Sequence, residues 1–410
     1  MRYISGKTVS KLKDIIDDGQ DYILILDEGC IMNIDLYINE LQKRKPIAAL
    51  SDYSLVFTHV PSFMQMLSIP LFFMPENRDR SYVTFYEQTH SLADSVLTKV
   101  ISNLEDIRGI KKITIDTLFN IVYPHEVDTP EVKGGSDELV EVESYNVLAS
   151  VKSKDNNDIW TYGSDEVGLI FTEFVFYKDE VFPTYEEQKN VLEKIFKRNP
   201  SSNYTVRLFD VNNDKVPDWL HGRIKLGNYD HPLFEPCFRS YLDEQLRCLC
   251  ELAKNYPISI LIPYVKSLRN IEYINECMAS IKSPYRGRIK IGAKIELIST
   301  VKEIPALLDY VDFFSVGSND LVHSFFGMER THKAFEAKQM SQILGEKRLW
   351  DILYQIRHHA DDKPIRMGGQ LPIFPEALNR LLDIGYKEFT VSPQWVRQVK
   401  YQIKNYKAGN

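Results

Sequence analysis

Eight strand candidates, most of them separated by stretches of helical periodicity, restrict what residues 142–410 can become. They lie at Asn146–Val151, Val167–Phe174, Thr205–Val211, Ser259–Val265, Ile289–Leu297, Val311–Ser318, Pro364–Gln370 and Glu388–Pro393. Strands that alternate with helices call for parallel pairing with helices covering the sheet. Eight βα units in this span match a closed (β/α)8 barrel of the α/β class. Thr184-Tyr185-Glu186-Glu187, after Pro183, spells a capping box that starts a helix with Val191, Leu192, Ile195 and Phe196 inward.

In such a barrel the C-terminal ends of the strands form the catalytic rim. Polar residues fall there repeatedly: Arg207 and Asp210, Glu296, and Asn319 with Asp320. Glu296 plus Asp320 supplies two carboxylates for one hard divalent cation such as Mg²⁺. Arg207, Lys215 and Arg330 are placed to clamp phosphate or carboxylate oxygens. Together these describe a site for a phosphorylated acid. Two plainer readings stand beside it: Asn319-Asp320 as an Asx turn capping the next helix, and Lys215 or Arg330 as ordinary ion-pair partners.

The first third of the chain has a different texture. Tyr22–Leu26, Pro46–Leu50, Leu71–Met74 and Lys112–Asp116 read as strands, the last forming a hairpin-like pair with Asn120–Tyr123. His59 precedes Pro61, which suits the first position of a helix. An imidazole at a helix N-terminus would be stabilised there when phosphorylated; the alternative is a capping or core histidine. Pro124–Glu141, acidic and carrying Gly134-Gly135, is the linker candidate. The expected organisation is therefore a small domain over 1–125, a linker over 126–141 and a barrel over 142–410.

A net charge of -7 argues against nucleic acid or an anionic membrane surface as the main partner. No basic-then-apolar leader opens the sequence, and the most apolar segment, Ser54–Pro75, is interrupted by His59, Gln65 and two prolines, so no membrane span is expected. Five cysteines without C-x-x-C spacing fit free thiols in a reducing cytoplasm, and Cys248-x-Cys250 reads as core packing.

Several of these motifs resemble the phosphoenolpyruvate (PEP)-utilising enzymes, most closely enzyme I of the PEP:sugar phosphotransferase system. Gly163-Ser-Asp-Glu-Val-Gly-Leu-Ile-Phe-Thr-Glu-Phe174 and Phe182-Pro-Thr-Tyr-Glu-Glu-Gln188 are similar to the family's GAxGVGLxRTEFLF…PTEEEQ. Val206–Lys215 is similar to RTLDIGGDK, Lys294-Ile-Glu296 to the strand carrying the metal-binding Glu, and Phe313–Leu321 to FFSIGTNDL. Arg330, ten residues after Asp320, matches the substrate-binding Arg. Thr58-His59 followed by Ser68-Ile-Pro-Leu71 resembles the swivelling phosphohistidine domain.

The resemblance implies that Mg²⁺-bound PEP, or a related phosphorylated acid, gives its phosphoryl group to His59, with Arg207 and Lys215 catalytic. Arg207, Asn319 and Arg330 would bind substrate, and Glu296 and Asp320 the metal. It further implies a homodimer and a protein or small molecule as final phosphoryl acceptor.

Departures from the pattern are equally specific. The Arg of LxRTEF is Phe171, and the Arg expected before the Arg239 helix is replaced by Pro236 or Cys237. The family's MCGEL, whose Cys protonates the enolate, reads Met367-Gly-Gly-Gln-Leu371, so Gly368 stands at the proton donor. The family's Gly-Gly-Arg before the histidine is Ser54-Leu55-Val56. Each lost guanidinium contact removes about 2–4 kcal/mol of transition-state stabilisation. Three readings follow: a divergent phosphotransferase, a metal site retained for an altered substrate, or a metabolite- or partner-binding protein that no longer transfers phosphoryl.

Overall fold

The computed structural model describes residues 3–4, 7–9, 22–26, 41, 44, 46, 48–51, 71–73, 113–114, 144–152, 163–176, 182–210, 231–327 and 343–406. By internal contacts the chain divides into two compact units, Met1–Glu138 with Thr331–Ile343, and Leu139–Arg330 with Leu344–Asn410.

In the first unit, β1 (Tyr3–Ile4) pairs antiparallel with β6 (Ile113–Thr114). Strands β2 (Lys7–Val9), β3 (Tyr22–Leu26), β4 (Ala48–Ser51) and β5 (Leu71–Phe73) form a parallel sheet in sequence order. The expected strand at 112–116 is therefore partnered by β1, and its proposed hairpin arm at 120–123 lies outside the described residues. His59 lies outside them as well.

The second unit is a closed, all-parallel barrel. Its strands are β7 (Asn146–Val151), β8 (Val167–Phe171), β9 (Tyr204–Arg207), β10 (Ile258–Ile262), β11 (Lys290–Ile295), β12 (Phe313–Gly317), β13 (Ile365–Gly368) and β14 (Glu388–Val391). Each joins the next around the ring, and β14 returns to β7. All eight expected strands are present. Several end earlier than expected: β9 stops at Arg207 rather than Val211 and β10 at Ile262 rather than Val265, and at β8, expected over Val167–Phe174, residues after Phe171 turn into the short helix α1 (Thr172–Val175). The Thr172 hydroxyl donates to the Arg207 carbonyl at 2.7 Å, using the end of β9 to divert the chain.

Helices cover the ring: α2 (Tyr185–Phe196), α3 (Arg239–Leu252), α4 (Leu268–Ser280), α5 (Ile304–Leu307), α6 (Ser318–Phe326), α7 (Lys347–His359), α8 (Pro375–Ile384) and α9 (Val396–Asn405). α2 begins with the expected capping box, Thr184 and Glu187 satisfying each other's backbone N–H, worth about 1 kcal/mol. Leu192, Ile195 and Phe196 are buried, while Val191 is only half-buried. No described helix is long and apolar enough to cross a membrane.

The lumen is packed rather than open. Near its N-terminal end Arg366 donates to Glu388 at 2.9 Å and to Thr205 at 2.6 Å, tying β13, β14 and β9. Above this, Leu169, Leu261 and Phe313 cluster with Phe171 packed on them. Gly292 makes that layer possible, since a Cβ there would run into the Phe313 ring. Side chains alternate across a strand, so the next inward positions after Gly292 on β11 are Lys294 and then Glu296. The apolar layer is thus the floor of a polar mouth.

Candidate active site at the C-terminal ends of the strands

Arg207, at the end of β9, is 1% exposed. Its guanidinium bonds Glu173 of α1 and, at 2.8 Å, Asp210 Oδ2. Its planar face stacks on Phe171, 4.4 Å from the ring centre, because Phe171 and Arg207 are register partners on β8 and β9. Asp210 Oδ1 is 3.1 Å from His231 Nε2, and His231 Nδ1 accepts from the Leu233 N–H. With Nδ1 accepting, the ring hydrogen lies on Nε2, which donates to Asp210. Breaking a buried network of this kind costs far more than its net contribution to stability, so its members hold one another in place.

The His231 ring stacks on Tyr264, with centroids 5.1 Å apart. Tyr264 follows β10 and has φ of +53°, a left-handed conformation costing a bulky residue about 1–3 kcal/mol. That conformation aims its N–H at Glu296 Oε2, 2.9 Å away. The other Glu296 oxygen accepts from the Lys294 ammonium, which also lies 3.7 Å from Asp320 Oδ2. Lys294 and Glu296 are 5% and 3% exposed.

Helix α6 starts directly at the end of β12, so Asn319 and Asp320 occupy its first turn. Asp320 there faces the positive end of the helix dipole. The Asn319 side-chain oxygen accepts from the Gln370 N–H at 3.0 Å, and Ser318 Oγ from the Leu371 N–H at 3.3 Å, fastening the loop after β13. The capping reading is thus replaced by a helix N-terminus whose Asn is a cross-strand tie.

A polar arc therefore runs over the strand ends from Glu173 through Arg207, Asp210, His231, Tyr264, Glu296, Lys294 and Asp320 toward Asn319 and Gln370. Of the residues expected at this rim, Arg207, Asp210, Glu296, Asn319 and Asp320 are on it. Lys215 and Arg330 lie outside the described residues. Among the described residues, no group of three or more His, Cys, Asp and Glu is arranged to hold a metal ion.

Sequence reasoning missed Glu173, His231, Tyr264, Lys294 and Lys152. Lys152 follows β7, with its ammonium 5.3 Å from the Phe171 ring centre and 3.5 Å from Ser392 Oγ. Enclosure of the ammonium, reinforced by the Arg207 charge, lowers its pKa from 10.5 to about 8. Phe171 thus carries a guanidinium and an ammonium near its ring. The available signal for Lys152 was a lysine closing an apolar strand; nothing local marks His231.

The substituted positions are also explicit. Cys237 is exposed in a 3₁₀ turn before α3, and Arg239 pairs with Asp243 on its own helix at 2.7 Å. Gly368 ends β13, where a Cβ would meet the Val316 carbonyl at 3.2 Å and Ser315 Oγ at 4.0 Å. Burial pushes the Cys248 thiol up to about 12 and Cys250 and Cys277 to about 11, so these act as core residues.

A family model described as PEP-utilising enzyme, PEP-binding domain, matches residues 131–408. A PEP-protein phosphotransferase of Mycoplasma pneumoniae is 27% identical over 246 residues, 56% of this chain and 41% of that protein. The Buchnera aphidicola protein of the same name is 25% identical over 311 residues (68% and 52%), and that of Borreliella burgdorferi 24% over 372 residues (80% and 62%). The chain thus spans about half the length of these relatives. A match extending over the whole barrel, on which the rim residues sit at the strand ends, leads to one conclusion: the chain belongs to the PEP-utilising enzyme family and is a divergent relative of enzyme I.

Proposed function

We propose that this protein is a PEP-dependent phosphotransferase with a non-standard active site. It binds PEP, or a related phosphorylated acid, at the barrel mouth and passes the phosphoryl group to His59. The observation that carries this reading is the arc of paired charges over the C-terminal strand ends, in which Arg207, Asn319, Glu296 and Asp320 come together from β9, β11 and α6. Positioning and charge neutralisation dominate phosphoryl transfer, and buried guanidinium and ammonium groups supply both. Arg330 adds a further substrate contact, and Lys215 acts with Arg207 on the phosphoryl group. Lys152 brings a cation beside Phe171, where the family's arginine is missing.

In the proposed step the bond from phosphorus to the enol oxygen of PEP breaks and a phosphorus–nitrogen bond to the His59 imidazole forms. The imidazole gives up its ring proton, and enolpyruvate leaves and is protonated to pyruvate. From phosphohistidine the group passes to an acceptor protein or small molecule. We place the protein in the cytoplasm as a homodimer, with residues 1–125 as the phosphohistidine domain, 126–141 as linker and 142–410 as the PEP-binding barrel.

Mg²⁺ would be held by Glu296 and Asp320. As arranged, this pair does not fit it: both Glu296 oxygens accept from protein N–H donors, one of them the Lys294 ammonium. No step here runs through the metal.

Two measurements test the proposal. PEP should raise the unfolding midpoint, by about 2.7 kcal/mol of stabilisation at a hundredfold excess over Kd. Incubation with phosphorus-labelled PEP should leave acid-labile, alkali-stable label that disappears in His59→Ala. Label persisting in that variant removes His59 from the pathway; PEP binding without label in either protein favours the metabolite-binding alternative.

A further inference from the structure

We infer that the Lys294 ammonium is the resident cation of the mouth: a tethered charge that takes the place of a divalent metal between Glu296 and Asp320. The inference rests on the proposed reading of the mouth as a site for a phosphorylated acid. Lys294, on β11, and Glu296, directly after its last residue, stand two residues apart and project to the same side, into the lumen. The ammonium bonds Glu296 Oε1 and lies 3.7 Å from Asp320 Oδ2, so it occupies the space that the two carboxylates frame.

The surroundings are built around that lysine. A Cβ on Gly317 would lie 3.1 Å from Lys294 Cε and 3.1 Å from Glu296 Cγ, so the glycine of β12 leaves room for both side chains. The strained Tyr264 backbone holds the second Glu296 oxygen and fixes the carboxylate with its first oxygen toward Lys294. Lysine is almost never this deeply buried unless it is paired, and here the pairing is with the two carboxylates themselves. An ammonium offers three N–H donors to oxygen ligands, whereas Mg²⁺ requires near-octahedral oxygen coordination and would sit against a like charge. Between Glu296 and Asp320 the mouth therefore carries one positive charge where a dication would supply two, and it needs no metal to hold these carboxylates in register.

Manganese titration of the full chain, read by electron paramagnetic resonance, tests this without any turnover. The native protein should take up no Mn²⁺ at the mouth. Lys294→Met, or Lys294→Gln should the first variant fold poorly, should gain a site at least about tenfold tighter than any in the native protein. Adding Asp320→Asn to either should abolish that site. Mn²⁺ uptake by the native protein that Asp320→Asn removes would overturn the inference, and so would failure of both lysine variants to gain a site. In parallel, the PEP-induced rise in unfolding midpoint should be the same in EDTA and in Mn²⁺ for the native protein, but require Mn²⁺ in Lys294→Met. A native protein indifferent to PEP in both media would refute the proposed function, while the titration alone would still decide the role of Lys294.

Discussion

Lys152→Met isolates one electrostatic cost of this barrel. The ammonium is enclosed near Arg207, and its pKa falls from 10.5 to about 8. At 1.36 kcal/mol per tenfold change in proton affinity, that difference corresponds to about 3 kcal/mol. Part of the side chain stays in solvent, which reduces the figure to about 2 kcal/mol. The pKa is depressed for a base, so the folded protein holds this proton less tightly than the unfolded chain. The cost is full below pH 8 and is relieved as the pH rises to 10.5, because there the unfolded state binds more protons. Methionine keeps the apolar stem against Phe171 and carries no charge. The variant should therefore exceed the native protein in stability by about 2 kcal/mol at neutral pH, with the gap closing by pH 10.5. Urea unfolding from about pH 6.5 to about 10.5 measures this as the separation between two stability curves, in which all other titrating groups cancel. Parallel curves, or a variant less stable at pH 7, would mean that ion pairing outweighs desolvation and would refute the reasoning.

Other perturbations address separate links. Arg207→Met takes the guanidinium from the buried Glu173 and Asp210 carboxylates, and urea unfolding should show a loss of about 3–5 kcal/mol. Gly317→Ala presses a methyl group 3.1 Å from both Lys294 and Glu296; a destabilisation of about 1–3 kcal/mol and weaker PEP binding in thermal unfolding are expected. Gly368→Cys restores the thiol at the family's proton-donor position, and coupled assay should show faster pyruvate formation; no gain would place the deficit in the missing arginines or a changed substrate.

The barrel was legible chiefly through strands buried on both faces that read as continuous apolar runs; β10, Ile258–Ile262, is buried throughout. The end of β8 was not, because Thr172 and Glu173 turn inward through contacts with Arg207, 35 and 34 residues away along the chain. The positions of Arg207, Glu296, Asn319 and Asp320 could be read from strand ends. What they touch could not: Asn319 ties the loop after β13, and Glu296 is shared by Tyr264 and Lys294. Lys294 was the nearest miss, since a charge two residues before Glu296 on one strand must share its face. His231 and Lys152 gain meaning only through tertiary neighbours.

Closure of the ring has a consequence for the order in which the protein can be made. Asn146 of β7 pairs with Glu388 of β14, so the first barrel strand waits for the last to leave the ribosome. Until then β7 and β13 each carry a bare edge. Such distant pairing slows folding and lengthens the exposure of those edges. Nascent chains halted before β14 should therefore be the form most in need of a chaperone.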